Sequence, residues 1–191
     1  MKFDLQRVYS LALAAELAYV DAIAAERTAV DQWGMNQFEF IDIDETQCFV
    51  AANDAVVIVS FRGTESDKIV DWITDLDFDL VDGPLGGKVH EGFFESLSNV
   101  WKILDELVRT MQDAERKTLW VTGHSMGAAL ATLAVARWRE AGHPVAGLCA
   151  FGQPRTGDRT FSRNFDFEFK PYEFRLVNNH DIVTRIPPRV L

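Results

Sequence analysis

One serine of this sequence lies in a pattern that suits nucleophilic catalysis. Ser125 is the centre of Gly-His-Ser-Met-Gly at 123–127, between an apolar run and a run rich in Ala and Leu. A nucleophile on a tight strand-to-helix turn projects its hydroxyl from the edge of a sheet, and it needs room two residues before and after it. Gly123 and Gly127 would supply that room. The pattern therefore predicts a nucleophile at Ser125, and the alternative is a turn that only joins a strand to a helix.

Two positions are predicted to stabilise the negative charge that develops when a serine attacks a carbonyl. The backbone N–H of Met126 follows the nucleophile at the amino end of the next helix, where a negative charge is favoured. Phe-Arg-Gly-Thr at 61–64 ends the most apolar strand-like run. Thr64 is therefore predicted to give the second N–H of an oxyanion hole. An ordinary β-turn at 61–64 is the alternative.

Asp181 is the predicted acid of a catalytic triad. A serine hydroxyl is a weak nucleophile, so it needs a base, and the base needs an acid that orients it. Asp181 follows a strand-like run at 172–177 and comes after Ser125 in the chain. This order fits the Ser…Asp…His sequence of hydrolases that carry such a turn. The alternative is an aspartate that only caps a loop.

Apolar spacing predicts the elements that position these residues. It favours helices over 5–26, 93–111, 126–140 and from 158, and strands at 46–52, 55–61, 118–122, 145–151 and 172–177. Strands that alternate with helices predict an α/β fold with a mostly parallel central sheet, flanked by helices on both faces. Ser125 and Asp181 then fall beyond the carboxyl ends of strands, where such sheets form their sites.

Length and charge narrow the possible functions. The chain has 191 residues, which suits one domain, and its 19 basic against 29 acidic residues give a net charge of -10. No Lys/Arg cluster is present, so we expect no nucleic-acid partner, and an anionic membrane surface would repel the chain. No apolar run reaches the length of a transmembrane span. We predict no metal and no cofactor.

The cysteines and the N-terminus have ordinary explanations. Cys48 and Cys149 lie in apolar, strand-like runs, which predicts two buried thiols, with a disulfide between them as the alternative. Leu-Ala-Leu-Ala-Ala at 11–15 is similar to a short signal sequence, but acidic residues interrupt its surroundings and the apolar spacing favours an amphipathic helix. The localisation therefore stays open: cytoplasmic by default, secreted if the chain is a mature form.

Six motifs lie in one order along nearly the whole chain. They are FRGT at 61–64, DWITDL at 71–76, VHEGF at 89–93, TGHSMG at 122–127, FGQPRTG at 151–157 and NNHDIV at 178–183, followed by IPP at 186–188. In this order they resemble the class 3 lipase family, the fungal-lipase-like branch of the α/β hydrolases. Met126 and Ala128 stand where the family usually has Leu and Gly, and both keep an apolar or small character.

The resemblance implies an α/β-hydrolase fold and a role for each candidate residue. It implies a triad nucleophile at Ser125, a triad acid at Asp181, and oxyanion donors at Thr64 and Met126. It also implies a mobile lid around 69–75, with the lid residues Ile69, Val70, Trp72 and Ile73. The apolar stripe of this segment agrees with a lid, and a fixed surface helix is the alternative.

The catalytic base is the part of the family pattern that this sequence does not show. The family's triad histidine comes well after the acid, whereas all four histidines here precede Asp181: His90, His124, His143 and His180. His180 is the nearest to the acid, but neighbouring residues on a turn usually point apart. We therefore expect the base to be absent from residues 1–191. The single α/β-hydrolase domain at 1–191 is expected to be incomplete at its C-terminus, and this chain alone to be almost inactive.

These expectations converge on a serine carboxylic-ester hydrolase that acts through an acyl-enzyme on Ser125. A triacylglycerol-lipase-like activity on neutral lipid is favoured, with transient contact to a lipid interface, because of the expected lid. A phospholipase and an esterase for small esters are the alternatives within the same chemistry. The alternative of another class is a non-catalytic protein with a hydrolase fold, or an inactive fragment that lacks the base.

Overall fold

A six-stranded sheet forms the centre of the described part of the chain. The computed structural model describes residues 4–64, 79–113, 116–178 and 183–186. With strands numbered along the chain, the spatial order is β1 (Gln37–Ile43), β2 (Thr46–Ala52), β3 (Val56–Phe61), β6 (Thr118–His124), β7 (Gly147–Phe151) and β8 (Glu173–Leu176). The pairs β3–β6, β6–β7 and β7–β8 are parallel, whereas β1–β2 and β2–β3 are antiparallel. The predicted, mostly parallel sheet is confirmed.

Helices cover both faces of this sheet, as predicted. They are α1 (Leu5–Leu17), α2 (Ala22–Trp33), α3 (Glu91–Met111), α4 (Met126–Glu140) and α5 (Arg159–Phe169). A separate antiparallel pair, β4 (Leu80–Asp82) and β5 (Lys88–His90), precedes α3. Short 3-10 turns lie at Lys170–Tyr172 and Val183–Arg185.

The prediction of one helix over 5–26 is wrong, because the structure has two helices there. Asp21 has an extended backbone and caps α2, and its side chain accepts a hydrogen bond of 3.0 Å from the N–H of Ala24. Aspartate is favoured at such a cap, where it satisfies an N–H that the helix leaves without a partner. The chain therefore turns between Ala18 and Asp21 and starts a new helix. The strands β1, β4 and β5 were also not predicted from the sequence.

Each face of the sheet has its own apolar core. On one face, α3 buries residues three or four positions apart, from Phe93 to Met111, against the almost wholly buried α4. The many alanines of α4 allow it to lie close to the strands. On the other face, α1 and α2 cover a second cluster that includes Phe49, Ile58 and Trp120. Both faces are covered, which explains why β3 is almost entirely apolar.

Two buried hydroxyl groups attach α1 to the central strands. The Ser60 side chain on β3 donates to the Ala14 carbonyl at 2.8 Å. The Thr122 side chain on β6 lies 3.1 Å from the Leu11 carbonyl and 2.8 Å from the Cys149 carbonyl. Buried hydrogen bonds of this kind are costly to break, because the separated groups would be left without water or protein partners. The position of α1 is therefore fixed relative to β3 and β6.

The cysteines are unbridged, which confirms the prediction of two buried thiols. Burial raises the pKa of Cys48 and of Cys149 to about 12. Both thiols therefore stay protonated and unreactive at neutral pH. Across the described ranges, no helix combines the length and the apolar character that a membrane span requires.

Candidate active site

Ser125 occupies the turn between β6 and α4. Its backbone has φ 55° and ψ -127°, in the half of φ space that residues other than glycine rarely adopt. Holding a side-chain-bearing residue there costs about 1–3 kcal/mol. The Ser125 N–H donates to the Phe151 carbonyl at 2.9 Å, and the Ser125 carbonyl accepts from the Ala128 N–H at 3.0 Å. These bonds hold the strained residue between the end of β7 and the first turn of α4.

Gly123 and Gly127 allow the two sides of this turn to touch. A Cβ on Gly123 would lie 2.4 Å from the carbonyl carbon of Gly127. A Cβ on Gly127 would lie 2.3 Å from the carbonyl oxygen of Phe61, at the end of β3. Both clashes are with backbone atoms, which cannot move aside as a flexible side chain would. The crowding explains in physical terms why both positions carry glycine.

The hydroxyl of Ser125 is buried and has no hydrogen bond to the described residues. The residue is 0% exposed, and its Oγ has no hydrogen-bond partner among the residues that the structure describes. Nearly all buried polar groups have a partner, and an unpaired one costs about 1–3 kcal/mol. Ser125 also stands at the amino end of α4, where the helix dipole favours a negative charge. Strain and an unpaired hydroxyl thus coincide at one residue.

Thr64 and Met126 lie side by side next to this turn. β3 and β6 are parallel neighbours, with Phe61 opposite Gly123, so the loops that follow them begin at the same level. The Thr64 hydroxyl lies 4.0 Å from the Met126 sulfur. The two residues predicted to donate to an oxyanion therefore meet beside the nucleophile. An oxyanion hole needs donors from two such neighbouring segments.

The strand that leads towards Asp181 ends beside the same turn. β8 is a parallel neighbour of β7, and the Gly152 N–H donates to the Leu176 carbonyl at 2.9 Å. The chain beyond β8 therefore starts next to the end of β7, where the Phe151 carbonyl accepts a hydrogen bond from the Ser125 N–H. Asp181 itself lies outside the described residues, as do His180 and the expected lid residues Ile69, Val70, Trp72 and Ile73.

The three described histidines lie in different places, and none is hydrogen-bonded to the Ser125 hydroxyl. His143 Nε2 lies 2.8 Å from Gln112 Oε1, at the far end of α4. His90 is buried just before α3, and burial lowers its pKa, which favours the neutral ring. His124 Nδ1 lies 2.9 Å from the hydroxyl of Tyr19. Tyr19 was not singled out from the sequence, because only a contact between distant parts of the chain reveals it.

A cavity of about 1050 Å³ opens between α5 and the start of β8. Ser125 is not among its lining residues, so we assign no substrate to it. Glu173 lies on its wall, and burial together with the negative charge of Asp166 raises the pKa of Glu173. Over the part of the chain that the structure covers, no group of three or more His, Cys, Asp or Glu residues could hold a metal ion.

A mostly parallel sheet with helices on both faces and a serine on a strained strand-to-helix turn defines the α/β-hydrolase fold. The model of the family described as Lipase (class 3) matches residues 58–191, and the chain belongs to this family. The resemblance seen in the six sequence motifs is therefore confirmed.

Similarity to characterised lipases extends over most of the chain. This chain is 30% identical over 230 residues to the triacylglycerol lipase OBL1 of Arabidopsis thaliana, and the match covers 92% of this chain and 44% of that protein. It is 34% identical over 160 residues to phospholipase A1-II 4 of Oryza sativa subsp. japonica, covering 69% of this chain and 40% of that protein. The solved structure of the Rhizomucor miehei triacylglyceride lipase matches with a TM-score of 0.74 at 26% identity, over 97% of this chain and 76% of that one. The chain thus spans less than half the length of the Arabidopsis and rice relatives.

Proposed function

We propose that this protein is a serine carboxylic-ester hydrolase with triacylglycerol-lipase-like activity. The observation that carries the proposal is the buried, unpaired hydroxyl of Ser125 on a strained turn, within the described residues. A structural serine at the start of a helix would adopt ordinary cap geometry, and its side-chain oxygen would accept a hydrogen bond from a backbone N–H of the first turn. Ser125 makes no such side-chain cap bond. The strain and the unpaired hydroxyl are costs that a reacting group explains.

The proposed reaction proceeds in two halves through an acyl-enzyme. Ser125 Oγ forms a bond to the acyl carbonyl carbon while a base takes its proton, and Asp181 orients that base. The backbone N–H groups of Thr64 and Met126 donate to the oxyanion of the tetrahedral intermediate. The carbon–oxygen bond to the alcohol then breaks, and the base returns the proton to the leaving alcohol. Water attacks the acyl-enzyme in the same way, which releases the acid and restores Ser125.

A movement that exposes Ser125 is part of the proposal. An acyl carbonyl carbon cannot reach a residue that is 0% exposed unless some part of the protein moves. We propose that the segment 66–76, with its apolar stripe, supplies this movement as a lid. Opening would expose apolar surface, which a lipid interface favours and water disfavours. This links the buried nucleophile to a substrate that forms an interface.

The test compares three substrates with the full-length protein: an emulsified long-chain triacylglycerol, phosphatidylcholine vesicles, and a soluble short-chain p-nitrophenyl ester. A lipase predicts the highest rate on the emulsion, with a rise once the triacylglycerol forms an interface. A rate that is highest on phosphatidylcholine indicates a phospholipase, as the rice relative's name suggests for that protein. Smooth saturation with the soluble ester alone indicates an esterase, and overturns the lid as an interface-driven element.

A second measurement separates these catalytic functions from a non-catalytic one. A fluorophosphonate probe reacts covalently with an activated serine and not with an ordinary one. We expect the full-length wild-type protein to be labelled and its Ser125→Ala variant to remain unlabelled. If the wild-type protein is not labelled, the proposed hydrolase function is wrong and a binding role for the fold takes its place.

A further inference from the structure

A tyrosine outside the family match contacts the nucleophile turn. Tyr19 lies two residues after the end of α1, and its hydroxyl is joined by a hydrogen bond of 2.9 Å to Nδ1 of His124, the residue before Ser125. The two rings lie 6.0 Å apart with a tilt of 58°. The family model matches residues 58–191, so α1 and Tyr19 lie before the matched part. The candidate site therefore includes a contact from a part of the chain that the family model does not match.

The same hydroxyl reaches the loop that carries Thr64. A Cβ on Gly63 would lie 2.5 Å from the Tyr19 hydroxyl and 2.3 Å from the carbonyl oxygen of His124. The Tyr19 hydroxyl therefore lies where the loop after β3 meets the turn after β6. The Arg62 guanidinium lies over the Tyr19 ring, 5.7 Å from its centre. This contact keeps the ring in place against the loop.

α1 is a firm support for this tyrosine. It accepts the buried hydrogen bonds of Ser60 and Thr122, and these residues lie on β3 and β6. Those two strands lead to the loop of Thr64 and to the turn of Ser125. The helix that precedes Tyr19 is thus fixed to the strands that carry both halves of the candidate site.

We propose that Tyr19 is a positioning residue for the nucleophile. Its hydroxyl fixes the His124 ring and closes the junction at Gly63, which keeps Ser125 Oγ aligned with the N–H groups of Thr64 and Met126. The proposal rests on the proposed ester hydrolysis, and Tyr19 acts through the turn rather than on the substrate. Groups that support a reacting residue hold its geometry to within fractions of an ångström, and a misplacement of 1 Å can cost about 100-fold in rate. Because one supporting bond is removed, we expect a smaller loss, of about tenfold.

The test removes the hydroxyl alone and uses the full-length protein with a soluble short-chain ester. Tyr19→Phe keeps the ring under Arg62, so we expect kcat to fall about tenfold while KM and Tm stay close to the wild type. Tyr9→Phe is the matched control, because Tyr9 lies on α1, the helix that precedes Tyr19, with 64% of its surface exposed, and we expect it to change nothing. A kcat for Tyr19→Phe within twofold of Tyr9→Phe overturns the proposal. A raised KM at constant kcat also overturns it, since Tyr19 would then contact the substrate.

Variants of His124 test whether the bond to Tyr19 is the cause. His124→Asn keeps a polar atom near the place of Nδ1, whereas His124→Gln places its amide nearer to Nε2. We expect the Asn variant to keep more of the wild-type kcat than the Gln variant. This advantage should disappear when Tyr19→Phe is added, because the partner is then missing. An advantage of Asn that persists without the hydroxyl contradicts the proposal.

Failure of the proposed function can be told apart from failure of this inference. Wild-type turnover in Ser125→Ala would remove the proposed function and leave Tyr19 to be tested as a support of the turn. Amide hydrogen exchange of residues 122–128 then tests whether Tyr19 supports the turn. Faster exchange in Tyr19→Phe than in Tyr9→Phe supports the positioning role, and equal exchange in the two variants overturns it.

Discussion

The two ends of α4 differ in backbone strain and in the hydrogen bonding of their buried polar groups. At the amino end, Ser125 has a positive φ, and its hydroxyl has no hydrogen-bond partner in the described ranges. At the carboxyl end, His143 is hydrogen-bonded to Gln112, and Trp138 Nε1 donates to Asp105 at 2.9 Å. One end combines backbone strain with an unpaired hydroxyl on one residue, whereas at the other end the side chains of His143 and Trp138 have partners within the protein.

The difference shows that residue types alone do not identify a site. A histidine and an aspartate lie near one another at the carboxyl end, and by type they could be a base and its acid. They are separated from Ser125 by the 15 residues of α4, which is about 22 Å of helix. Their hydrogen bonds go to structural neighbours. The end that departs from the ordinary rules of caps and pairing is the better candidate for chemistry.

The largest expected effect is that of Ser125→Ala on activity. In an active, full-length form of the protein, we expect loss of the nucleophile to lower kcat for a soluble ester by about 10⁶, as for the loss of a triad member in a related mechanism. The free energy of unfolding should not fall, because the variant removes a buried hydroxyl that has no partner in the described structure. Ester turnover and urea unfolding measure the two effects. An inactive variant that is also much less stable would mean that the Ser125 hydroxyl has a structural role.

The second prediction compares two glycines at the two ends of α4. In Gly127→Ala the new Cβ meets the Phe61 carbonyl oxygen at 2.3 Å, so we expect a loss of stability of about 1–3 kcal/mol and a fall in kcat of about 100-fold. Gly142 has φ +71° but nothing within 4 Å of a Cβ. Gly142→Ala should cost about 1–2 kcal/mol from backbone strain and leave kcat unchanged. Equal activity in the two variants would contradict the contrast between the ends.

The third and smallest effect belongs to Asp105 at the carboxyl end. Burial alone would raise the pKa of this carboxyl, but hydrogen bonds from Arg109 and Trp138 outweigh it and hold the pKa below its usual range. A lowered pKa contributes stability that is present above the unfolded-state value, near 3.9. That contribution is lost as the pH falls through the folded-state pKa. Asp105→Asn should therefore lower the free energy of unfolding by about 1 kcal/mol at pH 7, and by less near pH 3, without changing kcat.

Urea unfolding at both pH values measures this effect, with Asp113→Asn as the control. Among the described residues, the Asp113 side chain forms an ion pair with Arg116 at the surface, and such pairs contribute little to stability. A difference between the wild type and Asp105→Asn that stays the same from pH 7 to pH 3 would show that the carboxylate charge is not involved. A loss of kcat in Asp105→Asn would show that the two ends of α4 are coupled.

The parts of the molecule that follow local rules could be predicted from the sequence. The turn at Ser125 has its signal within five residues, and β2 ends where predicted because Asn53 and Asp54 interrupt the apolar run that precedes them. The break between α1 and α2 was missed because apolar spacing continues through Asp21, whose capping role outweighs it. The bond between Tyr19 and His124 joins residues 105 positions apart. No local pattern can encode such a contact, so only the folded chain reveals it.

The bonds that attach α1 to the sheet also set a delay during protein synthesis. Ser60 is synthesised 46 residues after its partner Ala14, and Thr122 is synthesised 111 residues after its partner Leu11. A ribosome adds about 5–20 residues per second, so the second interval lasts roughly 6–22 s. During this interval β6 has not yet been made, so it cannot cover the apolar side of α1. α1 is therefore made well before β6, and a chaperone that binds exposed apolar helices would meet this chain at α1.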